Sequence, residues 1–82
     1  MTSLEKLRLA FAEGLGTDPA EITDALAYGN TGWDSVAHMA VVAAIEQAFD
    51  IMMETDDVIG MSSFSKAKEI VSKYGVALNV AG

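Results

Sequence analysis

The chain of 82 residues contains no cysteine, one proline, and no lysine or arginine between Arg8 and Lys66. Without cysteine there is no disulfide and no thiolate metal site, a composition that suits a reducing cytosol. The longest near-apolar run, Val36 to Ile45, contains His38. It falls far short of the ~20 residues that span a bilayer, so membrane insertion is not expected. The chain does not open on a basic-then-apolar leader, which argues against secretion, and the cytoplasm is the expected location. Strand alternation, internal repeats and low-complexity segments are absent from the pattern as well.

What is present is acidic. The net charge is -7, and the five cations Lys6, Arg8, Lys66, Lys68 and Lys73 all lie toward the two ends. The middle carries ten acids, from Glu13 to Asp57. Such a surface repels nucleic acid and anionic lipid and attracts partners with basic patches. The plainer reading is a solvated face kept for solubility. A length of 82 residues predicts one domain, 1–82, with about 3–75 structured and 76–82 as a tail. A domain of this size buries only ~60% of its unfolded surface, enough for one core but not for a deep enclosed active site as well.

The apolar spacing predicts an all-α fold. Leu4, Leu7, Phe11 and Leu15 place a first helix over Ser3 to Leu15, capped by Thr2 or Ser3 and ended by Gly14 and Gly16. Thr17 to Trp33 is a long connection in which Asp18-Pro19 turns the chain and Ile22 and Leu26 pin it to the core. A second helix follows from Ser35 to Asp50, with Ile45 at the centre of a core stripe that includes His38, Val41, Val42, Ala48 and Phe49. Its other side, Val36, Met39, Ala40 and Ala43, is apolar too. Either a third helix covers part of that side, or it is a partner-binding strip. Thr55 to Gly60 reads as a capped single turn of helix stopped by glycine. Ser62-Ser63-Phe64 starts a last helix whose stripe is Phe64, Ala67, Ile70, Val71 and Tyr74, ended by Gly75. Met39, Met52, Met53 and Met61 read first as core filler, with an adaptable lining for an apolar guest as the alternative.

Asp34, Ser35 and His38 are the residue types of a hydrolytic triad, but they fall within one helical turn and nothing supplies an oxyanion hole. No catalytic residue is therefore assigned, and His38 is read as a packed or partly exposed helix residue. A lone histidine is a poor metal ligand set. Asp50, Glu54, Asp56 and Asp57 lack the alternating ligand positions of a calcium loop, so no metal site is assigned. Ser35 remains. A serine at a helix start is ordinarily a cap. It is also well placed to carry a phosphate-linked group, because the free N–H groups of a helix start favour anions.

Gly32-Trp33-Asp34-Ser35-Val36 resembles the Gly-x-Asp-Ser-Leu motif of the acyl carrier proteins. The likeness runs from Leu4 to about Tyr74, through the helix end Ile45-Glu46-Gln47-Ala48-Phe49-Asp50-Ile51, the acidic short turn and the Ser62-Ser63-Phe64 helix start. The resemblance implies a small four-helix bundle of three main helices and one short one, with a long first loop. It implies that Ser35, flanked by Asp34, receives 4'-phosphopantetheine from coenzyme A through a phosphopantetheinyl transferase, and that the arm carries an acyl group as a thioester. The protein would then be a discrete, monomeric carrier rather than an enzyme. Its partners would be an acyl-loading ligase or transferase and a downstream synthase or acyltransferase with basic docking patches. Val36, Met39, Ala43, Glu46, Asp56 and Asp57 are the implied docking residues.

Val36 stands where the family usually has leucine or methionine, Thr31 where fatty-acid carriers usually have leucine, and Ala37 and Ala40 where they are often acidic. These departures point to a specialised pathway, in polyketide, modified-lipid or saccharide acylation, beside fatty acid biosynthesis itself. An aminoacyl or peptidyl carrier is the alternative within carriers. An unmodified helical adaptor that binds through Val36, Met39 and Ala43 is the alternative outside them.

Overall fold

The structure is a computed structural model that describes residues 2–30, 32–76 and 78. It contains four α-helices: α1 (Ser3–Leu15), α2 (Ser35–Phe49), the short α3 (Thr55–Gly60) and α4 (Phe64–Lys73). Among the described residues there is no strand, so the all-α expectation holds, with three main helices and one short one.

Each main helix starts where its sequence offers a side-chain acceptor. Thr2 caps α1 in a reciprocal box with Glu5: Thr2 Oγ1 accepts from the Glu5 amide at 3.1 Å and Glu5 Oε1 from the Thr2 amide at 2.9 Å. Ser63 caps α4, accepting from the Lys66 amide at 2.9 Å. The short α3 differs from expectation, because its N-cap is Glu54, which makes no side-chain capping bond. Gly60 is its last helical residue rather than a left-handed stop.

Gly16 closes α1 in the left-handed conformation at φ 67°. Gly14, expected to share that task, does something else. It lies inside α1 where the helix meets α2, and a Cβ there would fall 2.6 Å from the backbone N and Cα of Val41. The missing side chain lets the two backbones approach.

The core is built around Phe11, whose ring meets Trp33 edge-on at 5.3 Å and Phe64 at 5.2 Å. Leu7, Val41, Ile45, Ala67, Ile70 and Val71 complete it. Ile22 and Leu26 are buried and anchor the long connection, as expected. A 3-10 turn at Pro19–Glu21 is capped by Asp18. An isolated antiparallel bridge joins Ala27 to Ser63, with Tyr28 N–H donating to Ser62 C=O and Phe64 N–H to Leu26 C=O. Val76 and Leu78, read as tail from the sequence, lie half-buried against the core. The other tail residues, 77 and 79–82, and Thr31 lie outside the described residues.

The methionines divide. Met53 and Met61 are buried filler, whereas Met39 and Met52 face solvent. No third helix covers Val36, Met39, Ala40 or Ala43, all of which are exposed.

Candidate functional site

The helix start at Ser35 is set by its neighbours. Gly32 turns the chain at φ 73°, and the turn is closed by bonds from Gly29 N–H to Trp33 C=O and from Trp33 N–H to Asn30 C=O, both 2.9 Å. Trp33 then drops into the core, 1% exposed. Asp34 is the N-cap. Its Oδ1 accepts from the Ala37 amide at 2.9 Å and its carbonyl from the His38 amide at 2.8 Å. Ser35 is therefore the first helical residue and not the cap. It is exposed, and its hydroxyl makes no hydrogen bond among the described residues.

Beside Ser35 a groove of about 490 Å³ opens between α2 and α3, with Met39 on one wall, Val58 and Ile59 on the other, and Tyr28 and Met61 at its ends. A larger recess of about 700 Å³, with Arg8, Asp24 and Lys68 at its edge, shares no residue with it. The smaller groove is the candidate site, because Ser35 lies in its lining. Val36 is 80% exposed, Met39 57% and Ile59 75%, so an apolar rim surrounds Ser35. Ile59 was not singled out from the sequence. A six-residue helix offers too short a period to show which of Val58 and Ile59 turns outward.

His38 is half-buried and fully engaged. Its Nδ1 accepts from the Trp33 indole Nε1–H at 2.9 Å, and its Nε2–H donates to the Val58 carbonyl at 2.7 Å. An indole can only donate and a carbonyl can only accept, which fixes a neutral ring with the proton on Nε2. No lone pair faces Ser35, so the ring cannot act on its hydroxyl as a general base. Among the described residues no three His, Cys, Asp or Glu side chains gather as a metal site.

The three acids expected at the docking face differ. Asp56 is exposed. Glu46 is half-buried, its Oε2 accepting from the Met53 amide at 2.9 Å, and so holds the turn after α2. The Asp57 side chain is only 14% exposed; it accepts from Lys73 Nζ at 2.6 Å and from the Tyr74 hydroxyl at 2.5 Å. The Lys73 bond first, then the Tyr74 bond, holds the Asp57 carboxyl below its ordinary range. The same contacts push Lys73 and Tyr74 upward.

Two comparisons bear on this arrangement. Residues 5–71 match the family described as "Phosphopantetheine attachment site". The chain is also 33% identical over 70 residues to a protein of Guillardia theta named "Acyl carrier protein", an alignment that covers 84% of this chain and 86% of that one.

Proposed function

The chain belongs to the acyl carrier protein family, whose cofactor is 4'-phosphopantetheine, and from that premise we propose that Ser35 is the attachment residue of a discrete, non-catalytic acyl carrier. The observation that carries this reading is the uncommitted Ser35 hydroxyl: Asp34 takes the cap, so the serine stands exposed at the first helical position.

The residues present fit a phosphate diester at that point. The helix start favours an anion through its free amides and its dipole. Ser35 Oγ attacks the coenzyme A phosphorus nearest the pantetheine. The Oγ–P bond forms, the diphosphate P–O bond breaks, adenosine 3',5'-bisphosphate leaves, and the hydroxyl proton passes to the transferase or to water. Once attached, the arm supplies a terminal thiol that holds an acyl group as a thioester.

Docking in this reading rests on Val36, Met39 and Ala43, joined by Ile59 from across the groove. Asp56 is the acid with a free side chain; Glu46 and Asp57 are tied into the fold and contribute mainly through their field. The partners are a phosphopantetheinyl transferase, an acyl-loading ligase or transferase, and a synthase or acyltransferase with basic patches. The carrier works as a monomer in the cytoplasm. No helix among the described residues is long and apolar enough to cross a membrane. Ala37 and Ala40, where fatty-acid carriers are often acidic, support a specialised pathway. Housekeeping fatty-acid enzymes are then expected to use the loaded carrier poorly, and full efficiency would rule that narrowing out.

The direct test is intact mass after incubation with coenzyme A and a broad-specificity phosphopantetheinyl transferase. One phosphopantetheinyl group is expected on the wild-type chain and none on Ser35→Ala. An unmodified wild-type chain would instead favour the adaptor reading.

A further inference from the structure

The only tryptophan and the only histidine in the chain are bonded to each other, and Ser35 lies between them. The bond runs from residue 33 to residue 38 across the start of α2, with the two rings stacked at 5.9 Å and 17°. Five residues is not a helical neighbour spacing, so this pair is not a routine helix-surface contact. Trp33 is buried, and its indole N–H needs an acceptor there. His38 supplies it and hands the connection on to the Val58 carbonyl of α3. That carbonyl lies in the last turn of a short helix, where backbone acceptors lack intrahelical partners. Tyr28 closes the cluster, edge-on to the imidazole at 5.9 Å.

We propose that Trp33 and His38 are positioning residues for the attachment reaction. This rests on the reading of Ser35 given above. The Trp33–His38 bond staples the loop end to α2 on either side of Ser35 and fixes the backbone from which its side chain projects. The His38–Val58 bond holds the imidazole in the tautomer that accepts from Trp33, so its own part in loading is the smaller one. A small misplacement of a reacting group lowers the rate of the chemical step more than the affinity.

The substitutions separate the two bonds. His38→Phe keeps a ring and removes both. His38→Asn keeps an acceptor where Nδ1 sits but cannot reach Val58. His38→Gln keeps a donor near Nε2 and gives up the acceptor for Trp33. Transfer from coenzyme A is measured by intact mass at varied carrier concentration. For His38→Phe, kcat is expected to fall about tenfold with KM within about twofold. His38→Asn should recover most of kcat and His38→Gln should not. The Trp33 indole N–H resonance, the only one of its kind in the chain, gives a readout independent of transfer. It should keep its bonded position in wild type and His38→Asn and move upfield with faster solvent exchange in the other two.

A folded His38→Phe chain loaded at the wild-type kcat overturns the proposal, as does a His38→Asn chain no better than His38→Gln. If His38→Phe does not fold, the Asn and Gln pair decides the matter alone. A wild-type chain that takes no group at all overturns the Ser35 reading and this one with it. Normal wild-type loading with indifferent His38 variants overturns only this one.

Discussion

Three helices in this chain begin at or beside a serine, and at two of them, α2 and α4, the hydroxyls are in different states. At the start of α4, Ser63 is the cap and its oxygen is taken up by the Lys66 amide. At the start of α2, the aspartate one position earlier is the cap, and Ser35 is left with nothing to accept from. The two sites are chemically alike and differ by one residue of register. That offset separates a serine that stabilises a helix from one that is free to react. Their charge settings differ as well. The α4 start has Lys66 and Lys68 close by in sequence, whereas the stretch between Arg8 and Lys66, which contains the α2 start, has no lysine or arginine.

The contrast is broken most directly by exchanging each serine for alanine. Ser35→Ala should abolish phosphopantetheinyl transfer while changing stability by less than about 0.5 kcal/mol. Ser63→Ala should leave transfer intact and lower stability by about 1 kcal/mol in a denaturant melt. Transfer to Ser63 in a Ser35→Ala chain would end the comparison.

Displacing α2 bodily, with both caps untouched, distinguishes the seat of the helix from its cap. Gly14→Ala drives a methyl group into the Val41 backbone and should destabilise by about 1–3 kcal/mol in the same melt. An unchanged midpoint would mean that α2 is not seated by that contact. Asp34→Ala removes the α2 cap itself and is expected to lower stability by about 1 kcal/mol, with slower loading, whereas Asp34→Asn should retain most of both.

The groove's far wall depends on pH through Asp57. Its carboxyl is depressed in the folded chain, so its contribution is fully present above the unfolded Asp range. It is lost as pH falls below about 4 and through the folded value. Asp57→Asn should therefore lie below wild type at neutral pH and converge with it in acid, when thermal midpoints are compared across that range. Parallel curves would remove the Lys73 and Tyr74 contacts as the cause. The smallest effect expected is that of salt. Screening should raise the wild-type midpoint modestly by easing repulsion among the acids around α2, and an unchanged midpoint in added magnesium would count against it.

Much of this was legible in the residue pattern. The bounds of α1 and α4 follow from apolar periods with a capping residue at each start; α2 is apolar on both sides, and its bounds follow from the Asp-Ser start and the Phe-Asp end. The identity of the α2 cap did not, because Asp34 and Ser35 are both good caps and the choice depends on a backbone turn made by Gly32 and the burial of Trp33. The Trp33–His38–Val58 chain was not legible either, since its members are linked by tertiary placement rather than by spacing. Methionine carries no polarity to mark inside from outside, so Met53 and Met39 could not be told apart before the helices were packed. Gly14 looks like a terminator when only α1 is considered; its use becomes visible once α2 lies against it.

The bridge between Ala27 and Ser63 ties two distant points of the chain and makes everything between them a closed loop. The entropy of closing such a loop grows only slowly with its length, by ~0.6 kcal/mol for each doubling. Loop closure therefore sets little limit on the length of the turn from α2 into α3; the Glu46–Met53 bond, the Glu54–Tyr74 bond and the buried Met53 side chain set it instead. Variation in the exposed α2–α3 rim is therefore freer by substitution at solvent-facing positions such as Val36, Met39 and Ile59 than by a change in the length of that turn.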